Sequence, residues 1–332
     1  MKRQLFNTVV FLLALFAFTS LNAQEKEKHE AKFKKTKPFS KSYPLSGNDK
    51  VRLNNQFGEM KLVTWDKNEV KVDVTITGRS DDEQRAQEII DRISIEDNKE
   101  GSTISFITKF EENKNAEKKR KGEYHNEGME INYMVYLPAG NALEASNQFG
   151  KMVIPDYRGE AQLTSKFGSL SAGKISNTKE INVEFGKTDI AEVSGGRLSI
   201  KFSEGSVNKL SGNVKSHLEF SRVKINIDNG AKSLDINNSY STVYLDLDKS
   251  LSASYDITAS HGGFTNKSSF TIKAQEEDSK YYGPRFTRQY AGTSGSGTIK
   301  IKVHSSFGEI IAGHDMQVDL SEKKKSKSTR TI

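Results

Sequence analysis

The chain has no cysteine, only five prolines and one tryptophan in 332 residues. Without cysteine there is no disulfide, no thiol chemistry and no lipid anchored through an N-terminal cysteine. Stability must come from burial alone. Beyond the first two dozen residues no apolar run approaches the ~20 residues that a membrane-spanning helix needs. Catalytic signatures are missing too. There is no Gly-x-x-x-x-Gly-Lys-Ser/Thr loop, no His-Glu-x-x-His and no Gly-x-Ser-x-Gly. The six histidines (His29, His125, His217, His261, His304 and His314) are scattered, and none pairs with another at ligand spacing. These absences predict a non-enzymatic protein with no cofactor and no metal. They also predict that no nucleic acid is bound, because the basic residues are not interleaved with aromatics on an ordered face.

The N-terminus does carry a signal. Met1-Lys2-Arg3 is followed by an apolar run from Leu5 to Phe18 and then by Leu21-Asn22-Ala23-Gln24. A basic start, a short apolar stretch and a small residue describe a signal peptide over 1–23. Export to the periplasm, the outer membrane or the exterior follows, with no transmembrane span left in the mature chain. Cleavage would remove two cations and no acid, lowering the net charge from +7 to +5. The excess sits in three basic stretches, Lys26–Lys37, Lys114–Lys121 and Lys323–Arg330. We read these as a flexible charged leader over 24–40, a surface loop over 111–128 and a tail over 317–332. Anionic lipid or polysaccharide head groups would suit them.

Between leader and loop, Val70, Val72, Val74 and Ile76 alternate with polar residues, which predicts a half-buried strand. Ser80-Asp81-Asp82-Glu83 reads as a helix start, capped by Ser80 or Asp81. Ala86, Ile89, Ile90 and Ile93 give one apolar face, so a helix is expected near 81–93. Strands return at Ile104–Ile107 and Ile131–Leu137. The whole stretch 41–140 is expected to be β-rich.

The dominant feature is a repeat. An alternating strand ends in an aromatic followed by Gly or Ser at Phe149, Phe167, Phe185, Phe202, Phe220 and Tyr240, with steps of 18, 18, 17, 18 and 20 residues. Outlying copies stand at Phe57 and Phe307, expected as end coils, and His261-Gly262-Gly263 resembles a degraded corner. A fixed period near 20 marks a stacked repeat. Counting back by strand parity, residues two and four before each aromatic share a face. They should form interior columns beneath an aromatic column that is itself core. The residue immediately before is polar and runs Gln148, Lys166, Glu184, Lys201, Glu219, Ser239. Alternating signs facing each other across neighbouring strands support parallel stacking. The expected fold is all-β: a parallel β-solenoid of about 18 residues per coil over 141–316, interrupted by a polar insertion at 275–297.

Two groups could carry function on this scaffold. Tyr281, Tyr282, Arg285, Phe286 and Tyr290 in the insertion form an aromatic surface for a ligand. Asp228, Asp235, Asp246 and Asp248 read first as solvated exterior residues, with a hard-cation site or a glycosidase pair as alternatives.

Taken together, the exported start ending Leu21-Asn22-Ala23-Gln24, the strand–helix–strand block from Val70 to Ile107, and Tyr136-Leu137-Pro138 leading into the Phe-Gly phrases resemble the "putative adhesin" family, β-strand-repeat proteins of Bacteroidetes-type bacteria. The resemblance implies an adhesin-like binding or scaffold surface without established catalytic residues. Envelope or host glycans, or another envelope protein, are then the expected partners, with the oligomeric state open. The alternatives are a polysaccharide-active enzyme, lyase or glycosidase, working on one solenoid face, and a periplasmic accessory protein of a signalling or stress system.

Overall fold

The structure is a computed structural model that describes residues 30–111, 126–275 and 286–321. The expected signal peptide, most of the 111–128 loop, and Tyr281, Tyr282 and Arg285 lie outside these residues, as does most of the basic tail. The described chain is all-β with one helix, and its strands form one large sheet that does not close. In chain order they are β1 (Phe33–Pro44), β2 (Lys50–Gln56), β3 (Met60–Thr64), β4 (Glu69–Ser80), α1 (Glu83–Asp91), β5 (Ile93–Glu100), β6 (Thr103–Phe110) and β7 (Gly128–Leu137). There follow β8 (Ala142–Gln148), β9 (Lys151–Ile154), β10 (Tyr157–Lys166), β11 (Ser169–Glu184), β12 (Lys187–Lys201), β13 (Glu204–Glu219), β14 (Arg222–Ser239) and β15 (Thr242–Leu247). The last six are β16 (Ala253–Ser260), β17 (Gly263–Asn266), β18 (Ile272–Ala274), β19 (Thr287–Thr293), β20 (Ile299–Ser306) and β21 (Glu309–Gly313).

The repeat is written directly in the strand register. Ala145 faces Leu163, Leu163 faces Ile181, Ile181 faces Leu198, Leu198 faces Ser216 and Ser216 faces Ile236, all in parallel pairs. Every one of these residues is buried, as are Asn147, Ser165, Val183, Ile200, Leu218 and Asn238 two places further on. The expected interior columns are therefore present. So is the outward charge column, in which Lys166 meets Glu184 at 3.0 Å and Lys201 meets Glu219 at 3.4 Å. The repeats flanking the middle of the sheet are two short strands with a turn between them, as expected, β9 with β10 and β15 with β16, whereas β11 to β14 are each one long strand that bends with register shifts. Positive φ at Gly195, Gly196 and Gly212 eases that bend.

Three expectations need correction. The leader is not flexible throughout: Phe33–Pro44 is a strand paired along its whole length with β4. Apolar alternation missed it because lysines share its inward face with Phe39 and Tyr43. It lies at a sheet edge, where lysines and prolines such as Pro38 and Pro44 prevent pairing with another chain. The helix expected near 81–93 spans only Glu83–Asp91, and Ile93 opens β5 instead of completing the helix face. Asp82 is its cap, accepting from the Arg85 N–H at 2.9 Å, while the Ser80 hydroxyl accepts from the Asp82 N–H. Ala86, Ile89 and Ile90 are its buried face. Finally, Phe307 is not an end coil, because β20 inserts between β14 and β16.

Candidate functional site

The corner that follows each outward residue is where the structure departs most from expectation. Phe57, Phe149, Phe167, Phe185, Phe202, Phe220, Tyr240, His261 and Phe307 all have left-handed backbone, with φ between 47° and 63°. Bulky L-residues avoid this region at a cost of roughly 1–2 kcal/mol each. Two things hold them there. Each backbone N–H donates to the carbonyl one coil on, as from Phe149 to Lys166 at 2.9 Å and from Phe202 to Glu219 at 2.8 Å. The next residue is Gly or Ser and packs on the coil before. A Cβ on Gly168 would stand 2.0 Å from the Gly150 carbonyl oxygen. Where serine replaces glycine, its hydroxyl accepts from the preceding coil: Gly186 N–H to Ser203, Ser203 N–H to Ser221, Ser221 N–H to Ser241, at 2.9–3.1 Å.

The result is a ladder of rings. From Phe57 through Phe149, Phe167, Phe185, Phe202, Phe220 and Tyr240 to Phe307, centroids are 4.7–5.1 Å apart and planes lie within 9° of parallel. His261 continues the stack on Phe307, and Phe286 continues it on His261. One end is closed by Phe110, set edge-on against Phe57. The aromatic column is not core, as parity suggested. Phe149, Phe167, Phe185, Phe202, Phe220 and Tyr240 are 45–51% exposed, and Phe286 is 59% exposed. Turning through the left-handed region flips the corner residue out of the strand's alternation.

A groove of about 960 Å³ runs beside the rings from Phe149 to Tyr240. Its floor is the Gly/Ser row. Its far side is the residue two places after each aromatic: Lys151, Ser169, Lys187, Glu204, Arg222 and Thr242. The column before the aromatics does not line it. Val318–Ser321 lies alongside, sharing a second cavity of about 420 Å³ with Lys187 and Glu204. The Leu320 carbonyl accepts from Arg222 at 3.5 Å.

The insertion aromatics are only partly brought together. Phe286 joins the ladder, while Tyr290 packs edge-on against Phe264 and is half-buried. Of the acids, Asp228 pairs with Lys209 and Asp246 with Lys224, both at 2.9 Å, while Asp248 accepts from the Ser250 N–H. Among the described residues no group of three or more His, Asp or Glu is placed to hold a metal ion.

The chain matches no family model and no curated protein. It is similar to solved structures. One is a putative cell adhesion protein from Clostridium sporogenes, 18% identical over 84% of this chain and 100% of that one, with a TM-score of 0.27. Another is a putative adhesin from Bacteroides fragilis, 10% identical over 83% of this chain and 97% of that one, TM-score 0.36. A third is a putative lipid binding protein from Parabacteroides distasonis, 14% identical over 83% and 96%, TM-score 0.23.

Proposed function

We propose that the chain is an exported, non-enzymatic β-solenoid of about 18 residues per coil whose aromatic ladder and groove form a binding or adhesion surface of the cell envelope. One observation carries this reading. At nine corners a left-handed position that glycine would take without strain holds an aromatic or imidazole ring instead, and seven of these rings, Phe149 to Tyr240 and Phe307, are 45–51% exposed. Strain repeated this way points to what the rings present. A continuous exposed apolar stripe is the mark of an interaction surface.

The ring geometry narrows the partner. Sugars stack on aromatic faces, and here the faces between Phe57 and Phe286 are taken by neighbouring rings. What is offered is a row of ring edges between two charged columns, which suits a protein surface better than a glycan. Of the carboxylates proposed for glycan chemistry, Asp228 and Asp246 are tied to lysines, Asp248 to Ser250 and Asp235 to Asn237, which favours a binding role over hydrolysis.

The test is binding of the purified protein to isolated cell envelopes, comparing wild type with the triple variant Phe185→Ser, Phe202→Ser, Phe220→Ser. A loss of binding of roughly tenfold or more, with the β circular dichroism kept, is expected if these rings are the hot spots. Undiminished binding would refute the assignment. Release of oligosaccharide from glycans by the same protein would favour the enzyme instead.

A further inference from the structure

We infer that the ladder and its groove are the interface between two copies of this chain, packed side by side and parallel, each ladder seated in the other's groove. The inference rests on the ladder being the binding surface and names its occupant.

Shape comes first. Ridge and groove are adjacent, run the same way and lie on one face. A two-fold axis parallel to them exchanges the two, so one surface is complementary to itself, as an isologous dimer requires. Area comes second. Eight of the rings, Phe149 to Tyr240 with Phe307 and Phe286, are 45–59% exposed. At roughly 100 Å² for each half-exposed ring they present ~800 Å² of apolar surface. That exceeds the largest patch of an ordinary monomer and equals one partner's share of a standard interface.

Charge fixes the register. In this arrangement the column before the aromatics meets the partner's column after them, coil for coil. Glu184 faces the partner's Lys187, Lys201 faces the partner's Glu204, and Glu219 faces the partner's Arg222. Opposite signs meet at all three levels, and the symmetry makes six pairs. A slip of one coil sets Glu184 against the partner's Glu204 and Lys201 against the partner's Lys187. The register is therefore chosen by repulsion as well as attraction. Among the described residues Lys187 and Glu204 form no salt bridge within the chain, and Arg222 donates to the Leu320 carbonyl at 3.5 Å, close to Asp319. The preceding column is held straight by its own pairs, Lys166 with Glu184 and Lys201 with Glu219.

Two charge-reversed full-length chains test this by sedimentation equilibrium. The first carries Lys166→Glu, Glu184→Lys, Lys201→Glu and Glu219→Lys, which keeps the alternation within the chain. The second carries Lys187→Glu, Glu204→Lys and Arg222→Glu. Wild type should dimerise at micromolar concentration. Each variant alone should dimerise about a hundredfold more weakly, or worse. The equimolar mixture should restore a dimer, since every facing pair is again opposite, and this also shows that both variants fold. A monomeric wild type, variants that dimerise normally, or a mixture that fails to associate would each overturn the inference.

Register is read separately. The chain has no cysteine of its own. Ser239→Cys mixed with Thr242→Cys should therefore cross-link on oxidation, and Ser239→Cys mixed with Lys151→Cys should not. The reverse pattern overturns the parallel arrangement. If wild type is monomeric while the ladder triple variant still loses envelope binding, the dimer fails and the binding surface stands. If the dimer forms and the triple variant keeps its envelope binding, the functional reading is the one that fails.

Discussion

Replacing Phe202 by alanine and, separately, by glycine separates the two opposing terms at a ladder corner. The ring stacks on Phe185 at 4.8 Å and on Phe220 at 5.1 Å. Each such pair contributes about 0.5–1.5 kcal/mol, so removing the ring loses ~1–3 kcal/mol of stacking. The ring is also about half-buried, which adds roughly 1 kcal/mol of lost transfer energy. Phe202→Ala should therefore destabilise by about 2–4 kcal/mol. Alanine keeps a Cβ and with it the penalty of a φ near 50°. Glycine does not, although it brings extra entropy to the unfolded chain. Phe202→Gly should come out roughly 1 kcal/mol more stable than Phe202→Ala. This reverses the usual order for a residue in a β-rich segment, where glycine is the worse choice. Urea denaturation followed by far-UV circular dichroism measures both. If glycine costs as much as alanine, the corner stores no left-handed strain. If alanine lies within ~0.5 kcal/mol of wild type, stacking does not hold the ladder.

Other outcomes follow from the same contacts. Gly168→Ala would set a Cβ 2.0 Å from the Gly150 carbonyl oxygen, so the melting midpoint should fall by the equivalent of about 2 kcal/mol or more. Ser203→Gly removes a hydroxymethyl group whose oxygen accepts from the Gly186 N–H and donates to the Lys201 carbonyl, and should cost about 1 kcal/mol or more in the same assay. Acid should destabilise the fold in a defined direction. The Ser46 N–H and Lys99 hold the Asp49 carboxyl below its ordinary range, and Asn182 and Lys166 do the same for Glu184. A depressed folded-state value means stability that is fully present above the unfolded value of about 4 and is lost as pH falls through the folded one. Stability measured against pH should therefore drop below about pH 4, and less steeply in the double variant Asp49→Asn, Glu184→Gln. Burial pushes the Tyr133 hydroxyl far above the usual tyrosine range, and it bonds Thr108 at 2.9 Å. In an alkaline absorbance titration Tyr133 should ionise only when the protein unfolds, and Tyr133→Phe should lower stability by roughly 1–2 kcal/mol.

Much of the scaffold was legible because stacked coils repeat their constraints. The same parity recurring every 17–20 residues placed Leu163, Ile181, Leu198, Ser216 and Ile236 in one buried column, and the structure pairs each with the next. The alternation of Lys166, Glu184, Lys201 and Glu219 could be read for the same reason. What could not be read were the pieces that repeat nothing. Phe33–Pro44 is a strand because β4 offers it a complete backbone ladder, and lysines share its inward face with Phe39 and Tyr43, so main-chain pairing leaves no clean apolar alternation. Nor could spacing show that β20 returns between β14 and β16. That long connection sets Phe307 against Tyr240 and leaves His261 and Phe286 to extend the row.

The aromatic row was found by spacing and placed on the wrong side by parity, for one physical reason. Alternation assumes extended backbone at every residue. A single left-handed residue turns the chain, so the next strand begins on a different face and the corner side chain belongs to neither. Spacing alone cannot reveal this, yet the phrase itself could have. An aromatic followed at once by Gly or Ser at the end of strand after strand of the repeat marks a corner. A corner side chain has solvent on at least one side. The polar residues bracketing it, Glu184 with Lys187, Lys201 with Glu204 and Glu219 with Arg222, carry opposite signs at each of three levels. A core residue needs no such brackets. Charges of opposite sign set on either side of an exposed apolar row are what a self-complementary surface needs, and they were in the sequence beside the aromatics from the start.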